Sequence, residues 1–256
     1  MGKNYGEISE FCFKAYMLSQ KGKKMKAFGK IHELSDDANL ADLDWNSSLQ
    51  KALDDKNWEK LKELGIGKSK TSSKMDISIN SVKYSVKEFN GNDPAIVNHT
   101  TRPGYELVCC RLGVSIKKLD TIIDKYWELR CNRTIREDIK NSDSNSPFLS
   151  HKKYMKKIIE YFIFDGTGAG TSSRPADAVL EIDYKGLPSR LRIHDKQNCY
   201  DKIWPRLVFS VRSKQMPKNY PDCTNSESIG KWTKERDGKN KGSLHIRYKM
   251  EKFKND

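Results

Sequence analysis

Residues 73–89 read SKMDISINSVKYSVKEF, and their reading decides what the rest of the chain is built around. Two segments, MDISI (75–79) and VKYSVKEF (82–89), alternate apolar and polar residues, the pattern of half-buried strands joined as a hairpin. A turn centred between Ser81 and Val82 places Asp76 opposite Lys87 and Ser78 opposite Ser85. Ser-Val suits a two-residue turn poorly, so the spacing predicts a longer loop about the same centre. The parity then sends Ile77, Ile79, Tyr84 and Val86 to the core and keeps Asp76 and Lys87 together on a polar face. In these residues alone, an ordinary surface ion pair has the same appearance.

Working outward, GEISEFCFKAYML (6–18) predicts a helix that buries Ile8, Phe11, Cys12, Ala15 and Leu18. Glu7, Glu10 and Lys14 fall on one narrow stripe of that helix. KGKKMKAFGK (21–30) reads as a basic loop suited to a phosphate backbone, and residues 36–68 as two short helices stopped by Gly65 and Gly67. Residues 90–106 carry Gly, Asn, Asp and Pro and predict a loop. Residues 115–130 predict an amphipathic helix with Ile116, Leu119, Ile122, Ile123 and Tyr126 on one face. YMKKIIEYFIF (154–164) predicts a helix or a helix running into a strand. Later come the short strands AVLEIDY (178–184), SRLRIHD (189–195), RLVFSVRSK (206–214) and GSLHIRYKM (242–250), with a basic loop at 231–243. The polar NSDSNSP (141–147) predicts a boundary between a part made of the helices and the central hairpin, 1–140, and a β-rich basic part, 147–256, packed on it. The expected class is α+β, with an α/β core in which helices flank a mixed central sheet.

The balance of 48 Lys+Arg against 34 Asp+Glu gives a formal charge of +14, which points to a polyanionic partner, nucleic acid first. No apolar run approaches the ~20 residues that span a bilayer, and residues 1–11 lack the apolar stretch of a secretory signal. The glycine after Met1 is not followed by Ser or Thr at position 6, so the myristoylation pattern fails. Cys12, Cys109, Cys110, Cys131, Cys199 and Cys223 never form Cys-x-x-Cys and are expected as free thiols in a reducing cytoplasm. The five histidines (32, 99, 151, 194 and 245) show no zinc-ligand spacing. DGTGAGTSSRP (165–175) lacks the Gly-Lys-Ser/Thr of a nucleotide loop and reads as a linker or as bare amides on a phosphate backbone.

Phosphodiester hydrolysis needs a hard cation against the phosphate charge and an activated water. Asp76 supplies one anionic oxygen, the Val86 carbonyl beside it a second ligand, and Lys87 a donor for hydroxide. One carboxylate holds Mg²⁺ loosely, so a second acid is expected from the first helix: Glu10, or failing that Glu7. A competing acid–lysine pattern, RPADAVLEIDYKG (174–186), sets Asp177 and Asp183 along one strand and Lys185 in a turn, and reads as structural. On SRLRIHD, alternation aligns Arg190, Arg192 and His194; on VFSVRSK it aligns Ser210, Arg212 and Lys214. These are cationic strand faces suited to reading DNA bases.

At Gly6, Glu10 and Phe11 (Gly-x-x-x-Glu-aromatic), at MDISI and at YSVK, the chain resembles the PD-(D/E)XK nuclease superfamily, and more narrowly the type II restriction endonucleases. LRIHDKQNCYDKIWPRLVFSVRSK (191–214) is similar to a late strand-loop-strand pattern of several such enzymes. The resemblance implies a restriction-endonuclease-like fold with Asp76 as the metal-binding acid, Lys87 as the catalytic lysine and Glu10 as the helix acid. It departs at Ser85, which stands where the family usually has an acid, although a Ser-x-Lys form occurs. It further implies Mg²⁺-dependent cleavage of double-stranded DNA to 5′-phosphate and 3′-hydroxyl ends, a possible homodimer on a palindromic duplex, and a cognate methyltransferase in the same cell. The competing expectations are a DNA-binding protein that keeps the core without the chemistry, and a repair or RNA-processing nuclease.

Overall fold

The structure is a computed structural model, and it describes residues 5–70, 72–89, 92–98, 100–212 and 242–253. In chain order, helix α1 (Tyr5–Ser19) is followed by a small hairpin, β1 (Lys24–Met25) and β2 (Gly29–Lys30), then β3 (Leu34–Ser35). Helices α2 (Ser47–Asp54) and α3 (Trp58–Glu63) come next, and then β4 (Ile77–Ile79), β5 (Val82–Glu88) and β6 (Ala95–Val97). Helices α4 (Arg102–Leu112) and α5 (Ile116–Cys131), strand β7 (Ile139–Lys140) and helix α6 (Lys152–Glu160) precede β8 (Ala178–Ile182) and β9 (Leu191–Asp195). The chain then forms α7 (Lys196–Ile203), β10 (Leu207–Arg212) and β11 (Ser243–Tyr248).

The strands form two main sheets. The first has the order β3-β4-β5-β8-β9, antiparallel except where β5 pairs parallel with β8. The second, β6-β11-β10-β7, is antiparallel throughout. A parallel pair needs a long crossover, and here the chain between β5 and β8 contributes α4, α5, α6 and two strands of the second sheet. Both sheets therefore take strands from either side of residues 141–147, so that boundary does not separate them. The fold is mixed α+β.

Helix α1 lies between the first sheet and the α2–α3 pair. Its expected apolar face is buried, and so are Ser9, Glu10, Phe13, Lys14 and Met17, because protein covers the helix on more than one side. Phe11 stacks on Trp58 at 6.3 Å. Asn46 and Asn57 cap α2 and α3, each accepting a main-chain N–H at 3.0 Å. Gly65, at φ +100°, ends α3 in a left-handed position that a side chain would strain. Ile77, Ile79, Tyr84, Ala178, Leu180 and Ile182 face α1, while Val179 packs on the other face against α7 and the second sheet. With both faces covered, β8 is buried along its whole length.

Several expectations change. The turn of the central hairpin is tighter and one residue earlier than its spacing suggested. Ile77 pairs with Tyr84, Ser78 with Lys83 and Ile79 with Val82, so Asn80 and Ser81 alone form the turn, at φ +49° and +67°. Asn80 makes this possible: its Oδ1 accepts from the His32 and Glu33 amides at 2.8 and 3.3 Å, and its Nδ2 donates to the Lys30 and Phe28 carbonyls at 2.8 and 3.3 Å. The basic segment 21–30 is the β1–β2 hairpin, and the predicted loop 90–106 contains β6 and the start of α4. A helix, α7, separates the two late strands that carry the family resemblance. Cys12, Cys109, Cys110, Cys131 and Cys199 are free thiols, while Cys223 and residues 231–241 of the basic loop lie outside the described residues. Among the described residues no helix is long and apolar enough to cross a membrane.

Candidate active site

The hairpin sets the geometry. Beyond Ile77, the Asp76 amide donates to the Tyr84 carbonyl at 2.8 Å, while the Lys74 and Met75 amides turn away to the Arg174 carbonyl. The Asp76 side chain therefore lies beside β5 where β4 begins. Its Oδ2 accepts from the Val86 amide at 2.6 Å and from Ser85 Oγ at 3.4 Å. The N–H and C=O of one strand residue leave on the same side, so the Val86 carbonyl points to this edge as well.

The expected Asp76–Lys87 contact takes a different form. With the turn one residue earlier, Ser85 rather than Lys87 lies next to Asp76. Lys87 Nζ donates to Ser85 Oγ at 2.9 Å, which makes Ser85 the link between acid and ammonium. The residue that departs from the family pattern thus joins the two that match it.

Glu10 and Asp76 line one cleft of 470 Å³ together with Val86, Lys87, Glu88 and Asp93. Glu10 Oε1 is held at 2.7 Å from the Ser69 amide and 2.8 Å from Lys14 Nζ. Ser69 Oγ in turn donates to the Asp76 carbonyl at 3.0 Å, joining the loop that fixes one acid to the strand that carries the other. Glu7 pairs instead with Lys68 at 3.4 Å, so Glu10 is the helix acid that reaches the cleft. Glu88, facing α1, accepts a short hydrogen bond from Ser9 Oγ.

Burial and the nearby Glu10 charge push the Asp76 carboxyl up to about 6, against the opposing pull of Lys87, the Val86 amide and Lys14. Together with Ser85 and Lys87, Lys74 lines a small cavity of 40 Å³. Burial and the Lys87 charge push its ammonium down to about 8, with Asp76 opposing. Lys14, Ser69 and Lys74 were absent from the sequence reading as site residues. Only Lys14 left a signal there, its four-residue spacing from Glu10 on one helix stripe.

Among the described residues no three His, Cys, Asp or Glu side chains gather as a closed metal site. The donors lining the cleft are the carboxylates of Glu10, Asp76, Glu88 and Asp93 and the main-chain carbonyl of Val86, all hard oxygens. Mg²⁺ is commonly held by one or two carboxylates while keeping several waters, so this set fits it.

The cationic strand faces are less free than alternation implied. Arg192 and His194 turn onto β8, where the buried Glu181 lies 2.9 Å from Arg192 and 3.1 Å from His194 Nε2. His194 is 2% exposed and cannot reach a base edge. Arg190, half-exposed, pairs with Asp183 at 2.8 Å. Arg212 pairs with Glu137 and Asp138 at 2.7 and 2.8 Å, and Lys214 lies outside the described residues. The competing pattern at 174–186 is occupied structurally: Asp177 accepts from the Lys83 amide, and Asp183 bonds the Lys185 amide and Arg190. No family model, curated protein or solved structure matches the chain, so the reading of this cleft rests on its geometry.

Proposed function

We propose that the protein is a Mg²⁺-dependent endonuclease of restriction type that cuts double-stranded DNA. One observation carries the reading. Each of two carboxylates in a single cleft has one oxygen fixed by a protein N–H, leaving Glu10 Oε2 and Asp76 Oδ1 without a hydrogen bond among the described residues. Lys87 lines the same cleft. This is the arrangement of two anionic ligands and a nearby ammonium that phosphodiester hydrolysis needs.

In this reading Asp76, Glu10 and the Val86 carbonyl hold the cation, which supplies positive charge against the phosphate oxygens and acidifies water. Lys87, steadied by Ser85, orients the attacking water and balances the charge of its hydroxide form. A P–O bond forms to the water oxygen, the bond to the 3′ oxygen breaks, and the products are a 5′-phosphate and a 3′-hydroxyl. The +14 charge of the chain favours a DNA partner, and a homodimer would match a palindromic site.

The test is digestion of unmethylated plasmid with and without Mg²⁺. Discrete fragments that require the cation and vanish in Asp76→Ala and Lys87→Ala are expected. Salt-sensitive binding without cutting would instead favour a regulator that keeps the core, a reading that the serine at position 85 also favours. Cleavage that follows DNA structure rather than sequence would point to a repair nuclease.

A further inference from the structure

We propose that Lys14 and Asp36 are positioning residues for the helix acid: Lys14 aims Glu10 into the cleft, and Asp36 keeps Lys14 from cancelling its charge. The inference rests on the cation-dependent reading above and adds two residues that make no direct contact with the cleft.

Lys14 is fully buried, yet its ammonium is surrounded by acceptors: Glu10 Oε1 and Asp36 Oδ2 at 2.8 Å each, the Gly67 carbonyl at 2.9 Å and Ser69 Oγ at 3.1 Å. These groups come from α1, the turn after β3 and the loop after α3. The turn and the loop press closely together, since a Cβ on Gly67 would lie 2.2 Å from that of Ala38. Asp36 is held in its own right, its Oδ1 accepting from the Ala38 and Leu40 amides at 2.9 and 3.1 Å.

The charge count explains why a second acid is there. Lys14 with Glu10 alone would be a neutral pair, and a neutral pair adds little to cation binding. With Asp36, two carboxylates share one ammonium, so the buried triad keeps a net negative charge. Glu10 is the member of the triad that lines the cleft, so that charge is available to a cation there. Lys14 also occupies Glu10 Oε1, leaving Oε2 as the oxygen for the cation.

The test measures Mn²⁺ binding to the whole protein by electron paramagnetic resonance, without DNA and without turnover. Asp36→Asn keeps an oxygen for the Ala38 and Leu40 amides but makes the triad neutral, and its Mn²⁺ affinity is expected to fall about tenfold. Adding Lys14→Gln keeps an N–H donor to hold Glu10 Oε1 but removes the ammonium charge, restoring a single negative charge on Glu10, so the double variant is expected to return to within about threefold of the parent. A purely structural role for Asp36 predicts the reverse, with the second substitution making matters worse. Circular dichroism checks each fold, and if Asp36→Asn does not fold, the double variant carries the test alone. Unchanged affinity in folded Asp36→Asn, or affinity lost in the folded double variant, would overturn the inference while leaving the nuclease reading intact. Absence of Mn²⁺ binding in the parent, or binding indifferent to Asp76→Ala, would remove both.

Discussion

Asp76 is ionised at a cost to the fold. Its carboxyl sits near 6 rather than 3.8, chiefly because burial disfavours the charged form. The consequence for stability follows from proton counting. Between pH 3.8 and about 6 the unfolded chain releases this proton while the folded chain keeps it, so stability falls as pH rises through that window and stays reduced above it. Asn in its place can still accept from the Val86 amide and carries no charge. Asp76→Asn should therefore gain about 1–3 kcal/mol in metal-free urea unfolding at pH 7.5 and close to nothing at pH 4. Under the proposed nuclease function, the same variant is expected not to cut DNA. Equal stability of variant and parent at pH 7.5 would show that the carboxylate is not strained in this position. A carboxylate that weakens the metal-free fold fits a ligand-holding role, in which a bound cation offsets that cost.

At the scale of the element, the central hairpin shows what was legible in the sequence and what was not. Strand parity is a local property, so the faces of Ile77, Ile79, Tyr84 and Val86 could be read from alternation. Register depends on the turn, and Asn80-Ser81 lacks the glycine that marks a two-residue turn. Its conformation is fixed by Asn80 gripping residues 28–33, a contact about fifty positions away that no spacing rule supplies. Because the register moved by two residues, parity was preserved, and Asp76, Ser85 and Lys87 kept a common neighbourhood while their contacts changed. Asp36 and Ser69 were hidden for the same reason: they meet Lys14 from segments far apart in sequence. Two substitutions test the turn by urea unfolding. Ser81→Gly relieves a side chain at φ +67° and should gain about 0.5–1 kcal/mol. Asn80→Ala removes bonds to four main-chain groups and should cost about 2–4 kcal/mol. A neutral Asn80→Ala would mean that the turn holds without the grip.

At the scale of the whole molecule, the two sheets are joined through one buried acid. Glu181 on β8 is fully buried, and it meets Arg192 and His194 of β9 and, at 3.4 Å, Arg206, which directly precedes β10 of the second sheet. Arg206 also donates to the Lys249 carbonyl just after β11. Burial works against the charge of Glu181, but the His194 imidazole 3.1 Å away and the charges of Arg206 and Arg192 hold its carboxyl below the ordinary 4.5. Its contribution is thus fully present above about pH 4.5 and is lost as pH falls through the lower folded value, the opposite sense to Asp76. Among the described residues, Glu181→Gln leaves Arg192 and Arg206 only the exposed Glu251, 3.8 and 3.9 Å away, as counter-charge and should cost about 2–3 kcal/mol at neutral pH. The two acids act in neighbouring windows, so urea midpoints measured from pH 3 to 7 separate them. Glu181→Gln should flatten the acid limb below pH 4.5, whereas Asp76→Asn should flatten the decline between 3.8 and 6. If Glu181→Gln left the acid limb unchanged, the cohesion of the sheets would have to come from the apolar contacts between them rather than from this charge cluster.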